Sequence, residues 1–194
     1  MYFINKNIVR IIELLQGGRL YFNELHELSG ITSKNNLLKN LNILTENKLL
    51  FVKKNKSNTY YSLNFSNQAL LSILNLINQS KFENLPFNVK KSILTSILIL
   101  KPKMAVLFGS YAKLSHGKDS DVDLLFFDSQ KISSVVSDIS SKYNVKLNII
   151  FLEFEGFVLN DTLRHIFKSG YPLVGCRYFY DEFKKIQLEE LAQK

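Results

Sequence analysis

Cysteine is nearly missing from this sequence: Cys176 stands alone among 194 residues. That excludes an internal disulfide framework and a cysteine-based zinc cluster, and it fits a reducing, cytoplasmic compartment. Cys176 itself reads as a small, partly buried residue. Histidine is also scarce. His26, His116 and His165 have no metal-ligand spacing; His26 and His165 read as structural, and His116 as either a structural or a nucleotide-contacting loop residue. Long hydrophobic runs are lacking too. The most apolar stretches, residues 93–100 and 149–157, are too short or too interrupted to cross a bilayer. No basic-then-apolar leader opens the chain, because Met1-Tyr-Phe-Ile is followed at once by Asn5-Lys6-Asn7, so neither export nor a membrane is expected.

What is present is apolar mass and positive charge. Hydrophobic residues make up 46% of the chain, which provides a packed core and argues against wholesale disorder. The length fits one large or two small domains. Lys and Arg outnumber Asp and Glu by 25 to 17, for a net charge of +8. The excess is concentrated early: residues 1–65 carry nine basic against four acidic side chains. A small domain with that balance points to a polyanionic partner.

The stretch from Val106 to Phe127 carries the chemistry. Val106-Leu-Phe108 ends one apolar run, Gly109-Ser110 breaks it, and Leu124 to Phe127 belong to a second run with Asp121 and Asp123 at its entrance. In a strand, residues i and i+2 face the same side, so Asp121 and Asp123 aim two carboxylates together. Such a pair calls for a cation, and hard oxygen ligands suit Mg²⁺ (or Mn²⁺) shared with substrate phosphates. The Gly109-Ser110 turn allows close backbone approach to a phosphate, and a helix beginning there would turn N–H groups toward it. Lys113 can neutralise a phosphate. These parts together would hold a metal-bound nucleoside triphosphate.

Gly109-Ser110, Ala112, Ser120-Asp121 and Asp123 resemble the Gly-Ser-x-Ala … Ser-Asp-x-Asp signature of the DNA polymerase β-like nucleotidyltransferase superfamily, its minimal members above all. The resemblance covers roughly residues 88–175. It implies catalytic Asp121 and Asp123, both binding metal, with Gly109, Ser110, Lys113 and Ser120 on the nucleotide. Two departures stand out. Leu114 occupies a position where the family often has glycine. On the later strand, Val145 to Leu152, the family's third carboxylate is matched by Asn148, which can orient a metal or a water but cannot serve as a base. Glu153 and Glu155, just past that strand, are the candidate substitutes.

The first third reads differently. Ile8, Ile11, Ile12 and Leu15 share a helical face that Gly17-Gly18 stops. Asn23 caps a second helix over 24–29. Thr32 or Ser33 caps a third that runs to about residue 47, with Leu37, Leu38, Leu41, Leu44 and Ile43 inward. Residues 49–63 read as a hairpin with a polar tip at 54–58. Three helices and a basic hairpin resemble a winged helix-turn-helix over residues 4–65. That resemblance implies duplex DNA binding, with Ser33, Lys34, Asn35, Asn36, Lys39 and Asn40 on the third helix and Lys53, Lys54 and Lys56 on the wing. The same architecture also serves protein–protein contacts.

Between the halves, residues 66–85 form an apolar helix that Pro86 breaks. Its apolar content exceeds what one covered face needs, which implies packing between domains or a homodimer. A helix over 88–100 (Val89, Ile93, Leu94, Ile97 and Leu98 inward), another over 129–143, a helix over 161–169 closed by Gly170, a short strand at 171–175 and a charged tail helix over 179–192 complete the reading. The expectation is an α+β chain: a winged helix at 1–65, a linker helix at 66–87, a small mixed-sheet nucleotidyltransferase fold flanked by helices at 88–176, and a C-terminal helix at 177–194. Two functions follow. One is a nucleotidyltransferase moving a nucleoside monophosphate, AMP foremost, to a small-molecule or protein hydroxyl, a partner toxin being one such acceptor. The other is a DNA-binding regulator that uses the second fold as a nucleotide sensor or dimerisation scaffold. A nucleic-acid-modifying enzyme ranks last, because no additional RNA-binding or polymerase-fingers domain is evident.

Overall fold

The computed structural model describes residues 4–192, with side chains through residue 189. Met1 to Phe3, at the start of the expected segment 1–65, and the last two residues of the expected segment 177–194 lie outside those residues. The chain divides into two compact units, one ending at Asn75 and the other beginning at Leu76. The division thus falls inside the helix expected to link them.

The first unit begins with α1 (Lys6–Gln16), β1 (Leu20–Tyr21), α2 (Phe22–Ser29) and α3 (Lys34–Glu46). It continues through β2 (Leu50–Lys54) and β3 (Thr59–Leu63). Its sheet has the order β1-β3-β2 and is antiparallel throughout. The caps are local. Asn5 Oδ1 accepts from the Ile8 N–H and starts α1; Ser33 Oγ accepts from the Asn36 N–H and starts α3. Each such cap contributes about 1 kcal/mol. Asn23 does not cap α2. The helix starts two residues earlier, at Phe22, and Glu24 reaches back to accept from the Tyr21 N–H. Ile8, Ile11, Ile12 and Leu15 from α1 meet Leu25, Leu37, Leu41, Leu44 and Leu63 among the unit's buried residues.

Two positions on α3 are exchanged relative to expectation. Leu38 is 44% exposed, and Asn40 is buried at 3%. Asn40 lies three residues after Leu37 and four before Leu44, inside the buried arc. Its amide is fully used: Nδ2 donates to the Asn36 carbonyl at 2.7 Å, and Oδ1 accepts from Asn5 Nδ2 at 3.1 Å.

α4 (Gln68–Glu83) runs from the first unit into the second. Leu70, Ile73, Leu74 and Ile77 are buried, whereas Leu76 is exposed. α5 (Phe87–Leu100), β4 (Met104–Phe108), α6 (Gly109–Ala112) and β5 (Val122–Phe127) follow. After these come α7 (Ser133–Tyr143), β6 (Leu147–Leu152), α8 (Asp161–Ser169), β7 (Tyr171–Val174) and α9 (Cys176–Ala192). The sheet order is β6-β5-β4-β7, with β5 and β6 parallel and the other pairs antiparallel.

On one face of this sheet Ala105, Leu107, Val122, Leu124 and Phe126 pack with Val89, Ile93 and Leu100 of α5. α5 packs closely on α7, with Ser92 and Ser96, not Leu94 and Leu98, turned inward. Their hydroxyls donate to the Val89 and Ser92 carbonyls at 2.8 Å, so they are buried without loss of hydrogen bonds. Leu94 and Leu98 are 49% and 74% exposed. α9 begins three residues earlier than expected and packs on β4, β7 and α8. Phe179, Tyr180, Phe183 and Ile186 are buried. The Tyr180 hydroxyl accepts from Asn78 Nδ2 at 3.0 Å, and burial raises its pKa well above the ordinary tyrosine value. Among the described residues no helix is long and apolar enough to cross a membrane.

Candidate functional site

Three strand ends meet at the second unit's polar edge. β4 closes with Phe108 and turns at once into α6. Phe108 stands opposite Asp123 near the start of β5, and Asp123 stands opposite Asn148 near the start of β6. Val122 and Leu124 point into the core, so Asp121 and Asp123 take the other side, where both are half-buried.

Gly109 has φ +72°, and a methyl group built on it would lie 2.1 Å from Asp123 Oδ2. Only glycine fits, because both the left-handed backbone and the carboxylate lying over it reject a side chain. The turn and the acid pair are therefore one site. α6 is a single turn, too short for a sizeable macrodipole; what the bend offers is its local N–H groups and the Ser110 hydroxyl. The turn is closed by the Ser115 N–H donating to the Ser110 carbonyl at 2.9 Å. Leu114 takes φ +54°, which explains physically why glycine suits that position.

Asn148 Nδ2 donates to Asp123 Oδ1 at 2.9 Å. The position expected for a third carboxylate therefore lies at the site, but it holds Asp123 in orientation rather than adding charge. Glu153 and Glu155 do not replace it. Glu153 lies five residues along from Asn148, about 16 Å away at strand rise, and it pairs with Lys131 at 3.2 Å. Ser120 Oγ accepts from the Gly117 N–H at 2.9 Å, shaping the loop before Asp121. Lys113 is exposed at the C-cap of α6. His116 stacks on Tyr111 with ring centroids 4.2 Å apart.

Sequence reasoning missed Lys146. Its Nζ donates to Asp121 Oδ2 at 2.7 Å. The signal was available: Lys146 precedes Asn148 by two and must share its face. It neutralises one acid as a cation would. Among the described residues no group of three or more His, Cys, Asp or Glu side chains is placed to hold a metal ion. The donor set is nevertheless chemically suited to Mg²⁺, with two hard carboxylates on one side of a strand end and a glycine bend lying directly against one of them. Lys146 is largely exposed and free to leave.

The first unit's candidate residues are more dispersed. Lys34, Asn35, Asn36 and Lys39 are exposed on α3. Asn35, Leu38, Lys39 and Glu46 border a shallow groove there. Ser33 is engaged as the α3 cap, and Asn40 is withdrawn into the core, so it does not belong to the exposed face. Lys53 stands opposite Tyr60 and Lys54 opposite Thr59; as adjacent residues of one strand, the two lysines point to opposite faces of the hairpin, with Lys56 at its tip.

No curated protein matches the chain. Among the solved structures that resemble it are two with a TM-score of 0.39 each. One, a toxin-antitoxin crystallised with AMP-PNP, is 16% identical and covers 53% of this chain and 90% of its own. The other, a mutant of the toxin-antitoxin MntA-HpeT, is 14% identical and covers 55% and 92%. A family model described as "Polymerase beta, Nucleotidyltransferase" matches residues 90–175, a little under half of the chain. That segment, which contains the bend, the acid pair and Asn148, is a nucleotidyltransferase-like domain.

Proposed function

We propose that the second unit binds a magnesium–nucleoside triphosphate and transfers a nucleoside monophosphate, AMP foremost, to a hydroxyl of a protein or small molecule. The observation that supports this best is the Asp123 carboxylate lying on Gly109, because it unites a phosphate-admitting bend with a cation-binding pair. Asp121 and Asp123 would hold Mg²⁺, or Mn²⁺ in its place. Bound there, the ion would supply charge neutralisation and polarisation of phosphoryl oxygens. Gly109 and Ser110 donate to the terminal phosphates, Lys113 adds positive charge, Ser120 keeps the loop in shape, and Asn148 fixes the rotamer of Asp123. The acceptor hydroxyl oxygen attacks the α-phosphorus in line, its proton passes to water, and the bond from the α-phosphorus to the bridging oxygen breaks with its electron pair leaving on pyrophosphate.

The first unit supports a DNA-binding winged helix. Three helices and an antiparallel sheet of order β1-β3-β2 present α3 and a basic hairpin to solvent. Lys34, Asn35, Asn36 and Lys39 would meet base edges and phosphates, and Lys53, Lys54 and Lys56 phosphates on either side of the wing. A homodimer through the exposed Leu76 edge of α4 and a cytoplasmic location complete this reading. One observation favours a second reading: Asn148 cannot take the acceptor's proton. On that account the domain is a nucleotide sensor or scaffold serving a DNA-binding regulator.

Transfer of radiolabel from α-labelled ATP to candidate acceptors, a co-encoded toxin among them, separates the two. Magnesium-dependent labelling that drops about a hundredfold or more in Asp121→Asn and Asp123→Asn supports the transferase. Nucleotide binding without labelling in any mixture supports the sensor.

A further inference from the structure

One cavity of the second unit does not coincide with the acid pair. It measures about 840 Å³, a size typical of small-molecule sites. Gly109, Ser110, Asp121, Asp123 and Asn148 do not line it; Tyr111, His116, Lys118, Ser140, Ser141 and Lys146 do. The stacked Tyr111–His116 rings form an aromatic wall, the two serines supply hydroxyls, and the two lysines supply positive charge. Asp119 is the acid among the lining residues. Lys118 has no ion-pair partner among the described residues. Lys146 belongs to both places: it borders the cavity, and its Nζ holds Asp121.

We propose that this cavity binds a phosphate-bearing small molecule, and that Lys146 couples its occupancy to cation binding at Asp121. The coupling rests on the reading of Asp121 and Asp123 as cation ligands. One ammonium cannot serve two anions in full. With Lys146 held on Asp121, Lys118 is the one lysine of the lining left to meet an entering phosphate. A divalent cation on Asp121 displaces Lys146, which then turns to the cavity. Conversely, a phosphate that draws Lys146 away leaves Asp121 uncompensated and receptive to a cation. By reciprocity each ligand tightens the other by the same factor.

The test uses the full-length protein with sodium sulfate as the phosphate surrogate, at constant ionic strength. Amide ¹H–¹⁵N shifts of Gly117, Ser140 and Ser141 report the cavity, and calorimetry reports Mg²⁺. Saturable sulfate shifts that tighten about fivefold or more with Mg²⁺, and an equal tightening of Mg²⁺ by sulfate, are expected. Lys118→Ala weakens sulfate and leaves Mg²⁺ unchanged. Lys146→Gln weakens sulfate, strengthens Mg²⁺ in its absence, and removes the coupling. Non-saturable shifts while Mg²⁺ still binds overturn the cavity site. Coupling that survives in Lys146→Gln overturns the role of that lysine. Saturable sulfate binding with no Mg²⁺ binding overturns the coupling and the cation reading together, while the cavity site stands.

Discussion

The two units place their candidate groups in opposite ways. In the second, three strand ends and one tight turn deliver Gly109, Asp121, Asp123, Lys146 and Asn148 to one edge, each touching another. In the first, the exposed residues of α3 and the hairpin stand apart and point in several directions. Convergent groups act as a unit, so loss of one removes the function. Dispersed charges add, so loss of one subtracts an increment. The difference also separates two kinds of substitution: those that break a site and those that thin a surface.

The sharpest way to break the comparison is Gly109→Ala. A β-carbon there collides with Asp123 and requires a left-handed alanine, at a backbone cost of about 1–2 kcal/mol. Thermal unfolding should shift down by about 5 °C or more, and calorimetric Mg²⁺ binding should vanish. Asn40→Ala comes next. It removes buried bonds to Asn5 and Asn36, so stability falls by about 1–2 kcal/mol by urea unfolding, while the duplex affinity of the folded fraction is unchanged. Leu114→Gly relieves a left-handed leucine and should raise stability by about 1 kcal/mol, again read by urea unfolding. Lys39→Ala is the mildest: the unfolding midpoint holds, and the salt slope of duplex binding drops by about 1. If Lys39→Ala abolished duplex binding outright, the contrast between a convergent and an additive surface would fail.

Legibility in the sequence follows the same line. The acid pair and the bend were readable because their geometry is local: a period of two in a strand and a glycine at a break. The strand opposite was readable enough to place Asn148 beside Asp123. Lys146 went unnoticed because its partner is twenty-five residues away, although its face was implied. On α3, Asn40 reads from sequence as an exposed polar residue because its partner Asn5 is thirty-five residues distant. On α5, counting apolar residues favoured Leu94 and Leu98, whereas the helix turns Ser92 and Ser96 inward, where small side chains satisfy their own hydroxyls on the preceding turn. The identity of the buried arc is decided by close packing against neighbouring elements, α7 among them, which hydropathy alone does not encode.

Calorimetric titration of Mg²⁺ into the full-length protein with a non-hydrolysable ATP analogue, set against Asp123→Asn, tests the central claim most directly. The account predicts magnesium-dependent nucleotide binding in the natural sequence and its loss in the variant, with folding retained. Equal binding by both proteins, or none by either, would contradict it.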